Sequence, residues 1–363
     1  MINARRQSFR GVVGMLYVVG VNIAVFTTLF VLSELAVHLI WPRQNPWLRP
    51  PFEKRALRVA DPVYGHKRVL FLGDSFTEGL GIPYEQTFVG RFAAAFPQLD
   101  VLNAVVSSYA PSVYYAKTKY FIGRGLQIDE IVVYIDVSDV QDEAIFYRFD
   151  ESDHVQEGNF DERCRSPELL FRSAPWCARW SYTLELFYTR YFLRMISQES
   201  EGGIGSLSMG PASAYRRDGA RASWTYDPNP ACYGEMGVEG GIAKTLALLD
   251  RLFGLASKCN IPISVGVYPW PQQLLYDSEE SRQVRVWREW CRGECRHFFD
   301  HFPAMFAYKR EHASFLRDLF IWGDVHYNAF GYELIARDLI ADYEKRQVRE
   351  RNDTSFVHIR QAQ

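Results

Sequence analysis

The chain has 363 residues, 48% of them apolar and 15% aromatic, enough to bury a sizeable core, so a disordered chain is excluded. Its formal net charge is -2. Acidic and basic residues are interspersed, which argues against a nucleic-acid groove or a polyanion partner.

In chain order, a short basic tail over residues 1–10 carries Arg5, Arg6 and Arg10. Residues 11–33, GVVGMLYVVGVNIAVFTTLFVLS, contain no charge and offer only Asn22, Thr27, Thr28 and Ser33 as polar side chains. At ~1.5 Å per helical residue this run reaches roughly the ~30 Å of a bilayer core, so an uncleaved transmembrane anchor over 11–40 is expected. A core helix would show a polar face, and a cleavable leader would end in a small-x-small site, which ELAVHLIWPR lacks. Flanking charge does not orient the span, because Arg43, Arg49, Lys54 and Arg55 follow it; Trp41 and Trp47 fit an interfacial belt. Residues 41–66 are rich in proline and polar side chains and read as a spacer between anchor and folded domain.

From residue 67 short β-branched runs alternate with helical patterns. Strands are expected over 68–72, 100–106, 130–136 and 261–268, and helices over 86–96, 112–125 and 241–259. Apolar strands separated by helices imply a parallel sheet covered on both faces, with ligands outside the carboxyl ends of the strands. The domain is expected to cover 67–345, with an insertion over about 141–240 read as a helical cap with a mobile loop, and a frayed polar tail over 346–363. Cys164 with Cys177, and Cys291 with Cys295, are close enough in sequence to pair, and Cys232 and Cys259 are a third pair or free thiols; buried free cysteines throughout are the alternative.

Two segments carry the chemistry. RVLFLGDSFTEGLG, residues 68–81, runs a strand pattern into Ser75, and WGDVHYNAFGYELIA sets Asp324 and His326 just ahead of a helical pattern. A serine hydroxyl is a poor nucleophile until a base takes its proton and a third group orients that base. Taken alone, Gly73-Asp74-Ser75 reads equally as a capped strand-to-helix turn, and Asp324 with His326 as a helix-entry pair. Asp136, Ser138, Asp139 and Asp142 lack an accompanying histidine and read as a solvated loop rather than a metal cluster. The stretch VYPWP, 267–271, reads first as strand termination by a rigid turn and second as a wall of the pocket.

Together these blocks resemble the SGNH, or GDSL-type, hydrolase family over about residues 68–343, with the middle insertion unmatched. The resemblance implies an α/β, three-layer flavodoxin-like fold with a central parallel sheet, Ser75 as nucleophile, His326 as base and Asp324 as orienting acid. It implies an oxyanion hole from the backbone of Ser75 and Ser108, with Ser138 at the position where the family carries an asparagine. Ser108 stands where the family has glycine, after Asn103 in VLNAVVSSYA. The two-residue spacing of Asp324 and His326, where many members have three, matches membrane-anchored acetylation proteins.

The implied function is a serine esterase or O-acyltransferase on a small ester or an acylated, chiefly acetylated, cell-envelope or extracellular glycan. The resemblance calls for no cofactor and no metal, and puts the domain on the periplasmic or extracellular side. In the transferase case a multi-span partner would carry the acyl group across the membrane. The rival reading is a non-catalytic, anchored assembly protein of a polysaccharide-modification complex that keeps the fold.

Overall fold

The computed structural model describes residues 20–36, 65–157, 183, 214–217 and 221–361, with 351–361 described by backbone alone. The chain divides into two units, Met1–Arg49 with Ser166–Glu199, and Pro50–Arg165 with Ser200–Gln363. In the first, residues 20–36 form a helix whose apolar side chains, Phe26 and Ile23 among them, are exposed. Its Ser33 hydroxyl lies 3.0 Å from Thr183 Oγ1, and Glu34 accepts from the Thr183 N–H at 2.9 Å. No helix among the described residues is long and apolar enough to cross a membrane. The rest of the expected anchor, the tail 1–10, the spacer up to residue 64, the aromatic and Gly/Ser-rich parts of the insertion other than Thr183, Cys164 and Cys177 lie outside the described residues.

The second unit is built on five parallel strands, β1 (Lys67–Leu72), β2 (Leu99–Asn103), β3 (Glu130–Tyr134), β6 (Ile263–Val267) and β7 (His297–Asp300), in the order β2-β1-β3-β6-β7. Every residue of β3 and β6 is buried, the mark of strands covered on both faces. The crossover from β1 to β2 runs one way and that from β2 to β3 returns past β1, so right-handed connections put their helices on opposite faces. Accordingly α2 (Phe88–Ala95) packs on α10 (Ala329–Gln361), while α3 (Pro111–Gly123) packs on α5 (Gly237–Ser257). Three layers result, as expected, and the sheet order reverses at the carboxyl ends of β1 and β3, where such sheets bind ligands.

Local sequence accounts for the boundaries. The Thr87 hydroxyl caps α2 by accepting from Gly90 N at 3.1 Å, and Phe88, Val89 and Phe92 form its buried stripe. Pro111 opens α3 at a position where no amide donor is needed. Strand β2 stops at Asn103, short of the expected 106, because the Asn103 side chain accepts from Val105 N at 3.3 Å and turns the chain. Gly266 faces Tyr134 across the β3–β6 pair, and a Cβ there would lie 2.4 Å from the tyrosine ring. That contact lets Phe71, Tyr134, Tyr268 and Phe76 stack in one file, with successive centroids 6.4, 5.6 and 5.3 Å apart.

Three expectations need correction. Strand β7 was not anticipated: HFFD is four residues long and its pattern is too short to register as a period. The supposed tail begins inside α10, and Arg346 is buried, its Nη1 and Nη2 donating to Glu130 at 2.5 and 2.8 Å. Polar sequence there marks an ion pair with the core rather than fraying. The insertion is not wholly peripheral either, since α4 (Asp139–Ile145) is buried against α5. Beyond it β4 (Tyr147–Phe149) and β5 (Val155–Glu157) form an antiparallel hairpin. Cys291 and Cys295 are joined as a disulfide near the end of α7 (Arg282–Glu294), with Cα atoms 4.8 Å apart, whereas Cys232 and Cys259 are free and exposed.

Candidate active site

Ser75 opens α1 (Ser75–Glu78), a single turn that follows directly from β1. Asp74 caps that turn, accepting from Phe76 N at 3.0 Å and from the Tyr268 hydroxyl at 3.1 Å. Gly79 closes it in the left-handed region, φ 78°, where glycine alone is unstrained. A strand end and one tight turn thus fix the Ser75 hydroxyl at the reversal point of the sheet.

The histidine comes from the far end of the chain. Asn328 sets the entry to α10, accepting from Phe330 N and Gly331 N at 2.9 and 3.0 Å while its amide donates to the Asp318 carbonyl at 2.9 Å. Ahead of it, Phe320 pairs with Tyr327 and Ile321 N donates to the His326 carbonyl at 2.9 Å, which folds 320–327 into a closed loop. In that loop His326 Nε2 lies 2.8 Å from Ser75 Oγ, and Nδ1 lies 2.6 Å from Asp324 Oδ1. The same Asp324 oxygen accepts from His326 N at 3.0 Å, and Asp324 is 2% exposed. The Phe76 ring, at the end of the aromatic file, lies 4.6 Å from the imidazole. The structure therefore brings the three sequence-predicted residues Ser75, His326 and Asp324 into one hydrogen-bonded chain.

The two other predicted residues behave differently from each other. Ser108 sits at φ 64°, a left-handed conformation that costs a non-glycine residue about 1 kcal/mol. The Tyr147 hydroxyl donates to its carbonyl and holds it there. Neither the Ser108 N–H nor the Ser75 N–H makes a hydrogen bond to another described residue. Ser138 gives its N–H to Asp136 Oδ1 at 2.8 Å. Its amide is thus committed to Asp136, not held free as a donor.

Sequence reading missed the chemistry beneath the serine. Asp136, Asp139 and Asp142 are not solvated; all are buried, and with Asp74 they make an acidic interior. Burial drives the carboxyls of Asp74, Asp136 and Asp139 above their ordinary range. Mutual repulsion adds to this, from Asp136 on Asp74, and from Asp136, Asp74, Asp142 and Glu143 on Asp139. Asp136 also takes the Trp270 indole N–H, at 2.7 Å, on its other carboxyl oxygen. Asp139 accepts from the Tyr114 hydroxyl at 3.2 Å. Arg221 pairs with Asp142, donates to Gln141 Oε1 at 3.0 Å, and opposes the rise at Asp74 and Asp136. The stretch VYPWP does more than end a strand, since its Tyr268 and Trp270 bind two of these acids.

No family model matches the chain, and no curated protein matches it. Among solved structures it is similar to a lipolytic GDSL-family protein from Veillonella parvula, at 12% identity over 76% of this chain and 97% of that one, TM-score 0.38. It is similar to a psychrotrophic esterase from Pseudoalteromonas at 11% identity over 77% and 97%, TM-score 0.38. A third is an acetylxylan esterase from Geobacillus stearothermophilus at 13% identity over 76% and 93%, TM-score 0.38. Likenesses this distant assign no activity to the chain.

Proposed function

We propose that the protein is a serine-dependent ester hydrolase or O-acyltransferase in which Ser75 is the nucleophile, His326 the general base and Asp324 the group that orients it. One observation carries the reading: the 2.8 Å and 2.6 Å contacts that link Ser75 Oγ, His326 and Asp324 in that order. Serine becomes nucleophilic when an imidazole takes its proton, and a carboxylate on the other ring nitrogen both fixes the tautomer and stabilises the imidazolium.

In the first half-reaction His326 Nε2 removes the Ser75 proton as Oγ attacks the ester carbonyl carbon. The carbonyl oxygen becomes an oxyanion held by the Ser75 and Ser108 N–H groups, donors worth roughly 10²- to 10³-fold each in rate. The imidazolium then returns its proton to the departing alkoxide as the C–O bond breaks, leaving the acyl group on Ser75. In the second half His326 activates water, giving hydrolysis, or a sugar hydroxyl, giving transfer. A short acyl group on a glycan is the substrate class we propose.

We also propose that the chain is membrane-anchored through 11–40, with the domain on the periplasmic or extracellular side. The described part of that segment supports this. Residues 20–36 are helical with exposed apolar side chains, and Thr27 and Thr28 return their hydroxyls to the Ile23 and Ala24 carbonyls at 2.8 Å. Polar side chains that satisfy themselves within a helix suit an apolar surrounding.

Labelling with a fluorophosphonate tests the catalytic reading. The wild-type chain is expected to take the label and Ser75→Ala to take none; an unlabelled wild type, or equal labelling of both, defeats it. An activated acetyl ester supplied with and without an oligosaccharide then separates hydrolysis, which yields acetate in both, from transfer, which yields acetylated sugar.

A further inference from the structure

Glu78 closes the one-turn helix that Ser75 opens, its N–H bonded to the Asp74 carbonyl at 2.8 Å. Nucleophile and carboxylate are therefore three residues apart on one rigid turn, on neighbouring positions of its surface. The Glu78 side chain reaches the loop after β2. Its Oε2 accepts the Ser107 N–H at 2.8 Å and the Ser107 hydroxyl at 2.7 Å. On the far side of that loop Tyr147 donates to the Ser108 carbonyl, Tyr109 N bonds to the Val106 carbonyl at 3.2 Å, and the buried Lys117 ammonium donates to the Ala104 carbonyl at 2.6 Å. With the Ser107 donors taken by Glu78 and the Ser108 carbonyl taken by Tyr147, the Ser108 N–H is left with no bond to a described residue. Left-handed backbone at a non-glycine residue persists only where its surroundings over-determine it, and these contacts are that surrounding.

We propose that Glu78 is a positioning residue of the reaction: by gripping Ser107 it ties the loop to the nucleophile's own helix and sets the distance at which the Ser108 N–H meets the oxyanion. The assignment rests on the ester-chemistry reading above. It explains a feature that a glycine-containing loop would not need, since a serine at Ser108 adopts the left-handed turn only under restraint. A carboxylate suits the task because a single ionised oxygen takes both Ser107 donors in charge-assisted bonds.

The test uses the full chain and hydrolysis of p-nitrophenyl acetate, with Glu78→Ala, Glu78→Gln, Ser107→Ala and the double variant Glu78→Ala/Ser107→Ala, their urea midpoints measured alongside. A donor that acts on the transition state more than on the bound ester changes kcat and spares KM. Glu78→Ala is expected to lower kcat by about 10- to 100-fold with KM within about 2-fold. Glu78→Gln keeps an acceptor oxygen and is expected to recover most of the loss. The double variant is expected to be no slower than Glu78→Ala, because both changes cut the same link. An unchanged kcat in Glu78→Ala, a loss matched by KM or by the unfolded fraction, or independent multiplication of the two single losses overturns the assignment. If Glu78→Ala does not fold, Glu78→Asp, whose carboxylate stands one methylene short of both Ser107 donors, decides: a kcat loss at unchanged KM supports the assignment and a wild-type kcat overturns it. Activity in the wild type beside a wild-type Glu78→Ala removes this assignment alone, whereas an inactive wild type removes the ester-chemistry reading with it.

Discussion

At the amino end of β3, Glu130 lies buried between two arginines. Arg346 meets it through both Nη groups, Arg296 approaches at 3.4 Å, and Ser264 and Tyr343 donate at 2.8 and 3.3 Å. At the carboxyl end of the same strand Asp136 lies buried with Asp74 and Asp139 as near neighbours, and Arg221 opposes the rise at Asp74 and Asp136. One end of the sheet balances buried charge and the other crowds like charges together. Crowded, desolvated acids are costly to folding, and the end of the sheet that tolerates them is the one where the proposed reading puts the reacting serine. The amino end repays a different use: it clamps β3 and β6 to α10.

The sharpest way to break this comparison is to remove a group from each end and see which property fails. His326→Ala is expected to cost about 10⁴-fold or more in esterase kcat while leaving the urea midpoint within experimental scatter of wild type, read by steady-state kinetics and denaturation. Arg346→Ala should do the reverse, lowering stability by about 3–5 kcal/mol because it leaves Glu130 buried with a weaker partner, with kcat of the folded fraction close to wild type.

A smaller effect is expected from pH. The carboxyls of Asp74, Asp136 and Asp139 bind protons more tightly folded than unfolded, since burial raises them. Their contribution to stability is fully present below about pH 4, the unfolded carboxylate value, and is lost as pH climbs through their raised values. The wild-type urea midpoint should therefore fall as pH rises above about 4 over this window, and Asp139→Asn, which removes one titrating member, should flatten the fall. A midpoint that climbs steadily across the same range would contradict the crowded-acid description. The smallest change is expected at Ser108→Gly. Releasing a left-handed serine gains at most about 1 kcal/mol, and the N–H survives the substitution, so kcat should stay within about twofold.

The sequence disclosed those parts of the molecule whose signal is local. VLFL and IVVY are β-branched or aromatic runs bounded by polar turns, and they are β1 and β3 within a residue or two. Ser75, Asp324 and His326 stand in short motifs, so their meeting was legible although 251 positions separate serine from histidine. The acidic interior was not legible, because nothing in YIDVSDVQDE reveals that Trp224 and Trp270 come to rest on it. Their indoles donate to the Val137 carbonyl at 2.8 Å and to Asp136 at 2.7 Å. The grip of Glu78 on Ser107 crosses 29 positions, and that of Tyr147 on Ser108 crosses 39, with no motif to announce either. Contacts of this kind are decided by packing, and a single sequence carries packing only implicitly.

The distance along the chain between Ser75 and His326 has a consequence during biosynthesis. Synthesis proceeds from the amino terminus, so the serine exists as an ordinary alcohol while some 250 further residues are added. On the proposed ester chemistry, a polypeptide halted or clipped anywhere ahead of Asp324 contains the hydroxyl without its base and reacts with esters no faster than free serine. On that reading reactivity is a certificate of completion, issued only when the last helix has closed against the sheet.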